Sequence, residues 1–115
     1  MFRAKWTTEA EAVYRRLKTE AEASQANRNA KRKGKKSKVE GLFKQVHKTI
    51  EHLIANPKHP GLQTHEYKSL ENPYKKGEKV FEAYVQHRTP AAFRVFWCYG
   101  PQKDEITIIA ITPHP

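Results

Sequence analysis

Arg94 stands inside an otherwise apolar run, Ala92-Phe93-Arg94-Val95-Phe96-Trp97-Cys98-Tyr99. A guanidinium held in such a strand can give hydrogen bonds to two oxygens of one phosphate. The plainer alternative is an arginine on the exposed face of a sheet. His114 carries an imidazole, which titrates near neutrality and serves as acid or base, although residues near a chain end are often unordered. Glu82 shares its alternation face with Tyr84 and Gln86, so it either orients a base, acts as one, or is a solvated strand glutamate.

Other reactive residue types are less promising. Cys98 is the only cysteine, which rules out an internal disulfide or a thiol-rich metal site, and it fits a small apolar strand residue better than a nucleophile. His47 and His52 fall five apart on one helix, a spacing that does not put both on one face as metal ligands. His59 and His65 lack the clustered His, Cys and acidic partners of a zinc site, so no metal is expected.

The charge pattern names a class of partner. The chain has a formal charge of +10 and a pI near 9.8, an excess that favours polyanions such as DNA, RNA, an acidic lipid surface or an acidic protein. Seven positive charges fall within residues 28–38, centred on Lys31, Arg32, Lys33, Gly34, Lys35 and Lys36. This segment reads as a solvated loop or frayed helix end, or as a handle on RNA phosphates. Without interleaved aromatics it offers no base stacking, and its grip would be sequence-independent.

The elements that must position these residues follow from changes of hydrophobic period. Phe2, Ala4 and Trp6 alternate with Arg3 and Lys5, as in a half-buried strand. Thr7 to Glu11 supply hydroxyls followed by acids, suited to a helix start. Ala10, Val13, Tyr14, Leu17 and Ala21 carry that helix into the late twenties. Ser37 and Glu40 have the spacing of a capping box, and Leu42, Phe43, Val46, Ile50, Leu53 and Ile54 form the stripe of a second helix ending at Asn56-Pro57. Lys58 to Lys79 lacks a sustained period and reads as a long surface loop or short irregular turns. Three strands follow, Val80 to His87, Ala92 to Tyr99 and Glu105 to Thr112, joined by short turns as an antiparallel meander. Trp6 and Trp97 read as core.

The predicted fold is therefore α+β, of order βααβββ: two helices packed on a small, twisted, mainly antiparallel sheet. At 115 residues the chain fits a single domain spanning 1–115. The longest apolar run, Ile106 to Ile111, is far short of the roughly 20 residues of a membrane span. The opening residues lack the apolar centre of a secretory signal, so the expected compartment is the cytosol.

Three stretches resemble the RelE/ParE superfamily of toxins from toxin-antitoxin systems. Phe2 to Trp6 followed by Thr-Thr-Glu-Ala is similar to the family's opening strand and helix start. Asn56-Pro57-Lys58-His59-Pro60-Gly61-Leu62-Gln63-Thr64-His65 resembles the run that often precedes its meander. Ala92 to Gly100, followed by Ile108 to His114, is similar to its paired last strands, with an arginine in the penultimate strand and a histidine near the end. The basic segment at about 28–38 is longer than the family pattern, and Pro113 and Pro115 flank His114 where some relatives end in histidine and tyrosine.

The resemblance implies a toxin with a cognate antitoxin, whose acidic or amphipathic segment covers a basic cleft. RelE-like members cleave messenger RNA, often on the ribosome, and ParE-like members poison DNA gyrase. Metal-independent RNA cleavage needs a base for the ribose 2′-hydroxyl, cations for the phosphorane-like transition state and an acid for the leaving 5′-oxygen. Arg94 matches the family's phosphate-binding arginine. His114, Glu82 and His65 are candidates for proton transfer, with Glu66 and Lys68 in the same loop region. Tyr84 or Tyr99 would supply stacking, and Lys31, Arg32, Lys33, Lys35, Lys36 and Lys68 would contact messenger or ribosomal RNA. The expected function is a metal-independent endoribonuclease without a cofactor. The alternatives are a gyrase inhibitor without nuclease activity and a non-toxic basic nucleic-acid-binding module.

Overall fold

The computed structural model describes residues 1–31, 34–87, 89 and 91–113. Its elements in chain order are β1 (Arg3–Trp6), α1 (Thr8–Ala30), α2 (Lys38–Ala55), a 3-10 turn (Pro60–Leu62), β2 (His65–Glu66), β3 (Phe81–Tyr84), β4 (Phe93–Tyr99) and β5 (Glu105–Pro113). The sheet order is β1-β5-β4-β3-β2. Among the described residues only the β1–β5 pairing is parallel; β5, β4, β3 and β2 pair antiparallel in succession.

Strand alternation sorts the side chains into two populations. Ala83, Val85, Val95, Trp97, Ile106, Ile108 and Ile111 meet Leu17, Val46, Ile50 and Leu53 of the helices in one buried cluster. Burial of this apolar surface supplies the main drive to fold. Glu82, Tyr84, Arg94, Phe96 and Thr107 belong to the alternate positions, facing away from the helices. Phe96 faces Ala110 while the next residue, Trp97, faces Ile108, so Ile109 is left without a β4 counterpart. That bulge is used: the Thr7 hydroxyl donates to the Ile109 carbonyl at 2.7 Å and accepts from Ala10 N at 3.1 Å. One side chain thus caps α1 and fastens its start to β5.

Both helix starts follow the sequence pattern. Ser37 and Glu40 form the expected capping box. The basic segment is shorter than expected as a loop, because α1 continues to Ala30 and carries Arg28 inside its last turn. Arg28 Nη2 donates to Glu40 Oε1 at 2.9 Å, so an acid from the second helix offsets the first of the seven charges. The Ser24 and Ser37 hydroxyls lie 2.7 Å apart, and each reaches Glu40 Oε2 at 3.1 Å. Glu40 therefore ties the two helices together at their junction.

The segment after α2 is more ordered than a long loop. His65 and Glu66 pair with Glu82 and Phe81, adding a fifth strand to the expected four. The strand predicted over Val80 to His87 is regular only from Phe81 to Tyr84. Beyond Tyr84 the amides of Val85 and Gln86 both turn to one acceptor, the Phe93 carbonyl, at 3.2 and 3.4 Å. The regular ladder ends there, with a single carbonyl serving two main-chain donors.

The Arg28 guanidinium, followed by the Ser37 amide and the two serine hydroxyls, lowers the Glu40 carboxyl from 4.5 to about 2. A depressed folded-state value stabilises the hairpin above the ordinary value and loses that contribution as pH falls toward the folded one. Glu40→Gln is expected to speed amide exchange in residues 24–30 and 37–41 at pH 7. The difference from wild type should shrink as pH falls from about 4.5 to about 2. Hydrogen exchange followed by mass spectrometry checks this, and a difference independent of pH would remove Glu40 from the role.

Candidate active site

Three strands bring four of the sequence candidates together on the face away from the helices. The pairings His65↔Glu82 and Tyr84↔Arg94 set them side by side in two adjoining rows. His65 Nε2 lies 2.9 Å from Glu82 Oε1, and Arg94 Nε lies 3.7 Å from the same oxygen. The Arg94 guanidinium carbon sits 3.8 Å from the centre of the Tyr84 ring, a cation–π contact. The His65 ring meets Tyr84 edge-on at 5.7 Å.

Main-chain oxygens complete the seat of the arginine. Arg94 Nη1 donates to the Gln86 carbonyl at 3.0 Å and to the Phe93 carbonyl at 3.1 Å. Glu82 is buried rather than solvated, with 1% of its side chain exposed, and Arg94 is buried beside it. His65 is half-exposed, at 49%. An incoming ligand therefore meets the imidazole first and the ion pair behind it.

The turn before β2 aims the histidine. Gln63 adopts a left-handed backbone, with φ 47°, and His65 Nδ1 lies 3.2 Å from its carbonyl oxygen. Both ring nitrogens thus face acceptors, and both contacts are hydrogen bonds only when the ring carries two protons. The 67–79 loop shields the other end of this sheet face. Tyr67 packs on Phe96 at 4.7 Å, and Tyr74 Oη lies 2.8 Å from Thr107 Oγ1. Asn72 Oδ1 accepts from the amides of Tyr74 and Lys75 and holds the loop's bend.

Other sequence candidates lie elsewhere. Tyr99 projects to the helix side, where its ring meets Trp97 at 4.9 Å and Phe2 and Phe81 at 5.9 Å each. It is thereby separated by the sheet from Arg94 and Tyr84. Lys68 is exposed on the loop after β2, and Lys31, Lys35 and Lys36 are exposed near the junction of the two helices. His114, Arg32 and Lys33 lie outside the described residues. Cys98 is fully buried, and burial pushes its thiol up to about 11, which keeps it from acting as a thiolate. Among the described residues, no group of three or more His, Cys, Asp or Glu side chains is placed to hold a metal ion.

Sequence reasoning missed the Gln86 and Phe93 carbonyls that seat Arg94, because main-chain acceptors carry no residue-type signal. It also missed His87, whose ring lies 5.3 Å from Tyr84. The sequence held no cue beyond its spacing from Tyr84.

No protein-family model and no curated protein matches the sequence. Solved structures do. The chain is similar to a YoeB/ParE toxin from Agrobacterium tumefaciens, with TM-score 0.61 and 9% identity over 98% of this chain and 99% of that one. A YoeB dimer from Staphylococcus aureus matches with TM-score 0.57 and 11% identity, over 99% and 98% of the two chains. A copper-bound mutant toxin from Helicobacter pylori matches with TM-score 0.53 and 13% identity, over 99% and 96%. The chain therefore has the α+β fold of these toxin structures, the fold that its sequence predicts. The likeness runs through essentially the whole length of each chain.

Removing one partner of a buried ion pair strands the other charge, at a cost of about 3–5 kcal/mol. Glu82→Gln is expected to lower the urea midpoint accordingly. The double variant Glu82→Gln with Arg94→Leu should recover part of the loss, because the stranded cation is gone. Strict additivity in that double-mutant cycle would show that the two side chains do not stabilise each other.

Proposed function

We propose that this protein is the toxin of a toxin-antitoxin pair and acts as a metal-independent endoribonuclease on messenger RNA. The observation that carries the reading is the His65–Glu82–Arg94–Tyr84 cluster on the sheet face left open by the helices. The fold likeness to YoeB/ParE toxins supports the toxin class.

In this reading the ribose 2′-oxygen attacks the adjacent phosphorus and the bond to the 5′-oxygen breaks. The products are a 2′,3′-cyclic phosphate and a free 5′-hydroxyl. Arg94 neutralises charge on the non-bridging oxygens as the phosphorane-like state forms. Its Nη1 is committed to two carbonyls and its ring contact to Tyr84, so the guanidinium needs little reorganisation when the phosphate arrives.

His65 exchanges a proton with one of the reacting oxygens, and Glu82 steadies the imidazolium from behind. His114 supplies the complementary acid or base. The exposed cations Lys31, Lys35 and Lys36 grip ribosomal RNA, as do Arg32 and Lys33 of the same basic segment, and Lys68 adds a contact beside the active face. A cognate antitoxin segment, acidic or amphipathic, covers the cationic face. The site of action is the cytosol.

Induction of wild type in growing bacteria, with mapping of new messenger RNA 5′ ends, is expected to reveal cuts within translated regions. Arg94→Ala should lower cleavage by about 10²–10³-fold and His65→Ala by about 10²–10⁴-fold. Arg94→Lys should restore only part, because a point charge does not reproduce the planar fork. Growth arrest with intact RNA and damaged DNA would replace this reading with gyrase inhibition.

A further inference from the structure

A second cleft opens beside Tyr84, around the edge of the sheet. β2 pairs only with Phe81 and Glu82, so no described strand pairs with that edge of β3 at Tyr84 and beyond. The cleft has a volume of about 320 Å³, lies between that edge, α2 and the 3-10 turn, and is lined by Lys48, His52, His59, Tyr84 and His87 among others. No Asp or Glu among the described residues lines it.

The cleft contains a fixed donor. The Gly61 amide donates to His59 Nδ1 at 3.0 Å, which leaves the ring proton on Nε2. The ring lies against His52, with centroids 4.3 Å apart and planes tilted by 32°. A methyl group at Gly61 would meet His59 Cε1 and Nδ1 at 3.0 Å each, so the glycine also leaves room for the ring to lie close against the turn. Lys48 is exposed one turn before His52 on α2 and brings a cation to the same opening. On the far side, His87 lies against Tyr84, whose ring carries Arg94.

We infer that this histidine-lined cleft binds a second phosphodiester of single-stranded RNA, next to the phosphate held at Arg94, with His59 Nε2 and Lys48 as its ligands. The inference rests on the endoribonuclease reading and adds to it a binding site for the flanking nucleotide. The donors, the cation and the absence of lining carboxylates all suit a phosphate. The shared Tyr84 makes the two sites continuous, so one strand can occupy both.

The probe is a fluorescent 2′-O-methyl RNA pentanucleotide, which has no free 2′-hydroxyl to attack. Its affinity is measured by anisotropy at several salt concentrations for wild type and for Lys48→Ala, His59→Ala, Gly61→Ala and Lys103→Ala. Lys48→Ala is expected to weaken binding roughly fivefold or more and to reduce the salt slope by about 0.7, the loss of one phosphate contact on a single strand. His59→Ala and Gly61→Ala should weaken binding by a similar factor, while Lys103→Ala in the β4–β5 turn should not. Addition of the RNA should shift the His59 side-chain ¹H–¹⁵N signals in wild type.

Wild-type affinity in both Lys48→Ala and His59→Ala would overturn the cleft while leaving cleavage at Arg94 intact. Movement of the His59 signals by a hexaglutamate peptide but not by RNA would overturn it in favour of an acidic protein segment. A wild-type protein that neither binds the RNA nor cleaves messages would overturn this inference together with the nuclease reading.

Discussion

A carboxylate shut away from water is the constraint around which the open face of the sheet is organised. Burying Glu82 is unfavourable unless nearby cations and donors compensate for lost hydration. His65 and Arg94 approach the same carboxylate oxygen from neighbouring strands. Arg94 in turn needs acceptors and finds them in the Gln86 and Phe93 carbonyls, where the β3–β4 ladder gives way. The irregular end of β3 and the buried ion pair are therefore one arrangement.

The two sheet faces divide the work. The helix side is apolar and continuous, with Trp97, Ile106, Ile108 and Leu53 fully enclosed. That close packing fixes the strands and lets the opposite face hold charged groups in defined positions. The division explains why Tyr99 does not join Arg94. The two residues are an odd number of positions apart on β4, so their side chains leave from opposite faces.

Most of the architecture was legible because it is written in local patterns. The Ser37–Glu40 capping box, the α2 stripe and the boundaries of β4 and β5 follow from residue types at fixed spacing. β2 was not legible, since His65-Glu66 is too short and polar to alternate, and its pairing depends on the turn that precedes it. Alternation placed Glu82 and Tyr84 on one face, but not the burial of Glu82. His65 and Arg94 close on it from the strands on either side, a pairing that alternation within one strand does not reveal. The arginine in the apolar strand was visible from the outset; its main-chain acceptors were not.

The order of the strands also bears on how the chain assembles. β5 is the last of the described strands in sequence, yet it lies between β1 and β4. Until it emerges during synthesis, β1 has no sheet neighbour, and the Ile109 carbonyl that fastens Thr7 is absent. The apolar stripe of the helices likewise lacks Ile106, Ile108 and Ile111. Closure joins the two ends of the described chain, a long-range event that local structure cannot anticipate. A nascent chain short of β5 consequently holds the residues of the helical hairpin and of the β3–β4 ribbon but lacks those that finish the core. The folded state is withheld until nearly all of the described chain has been made.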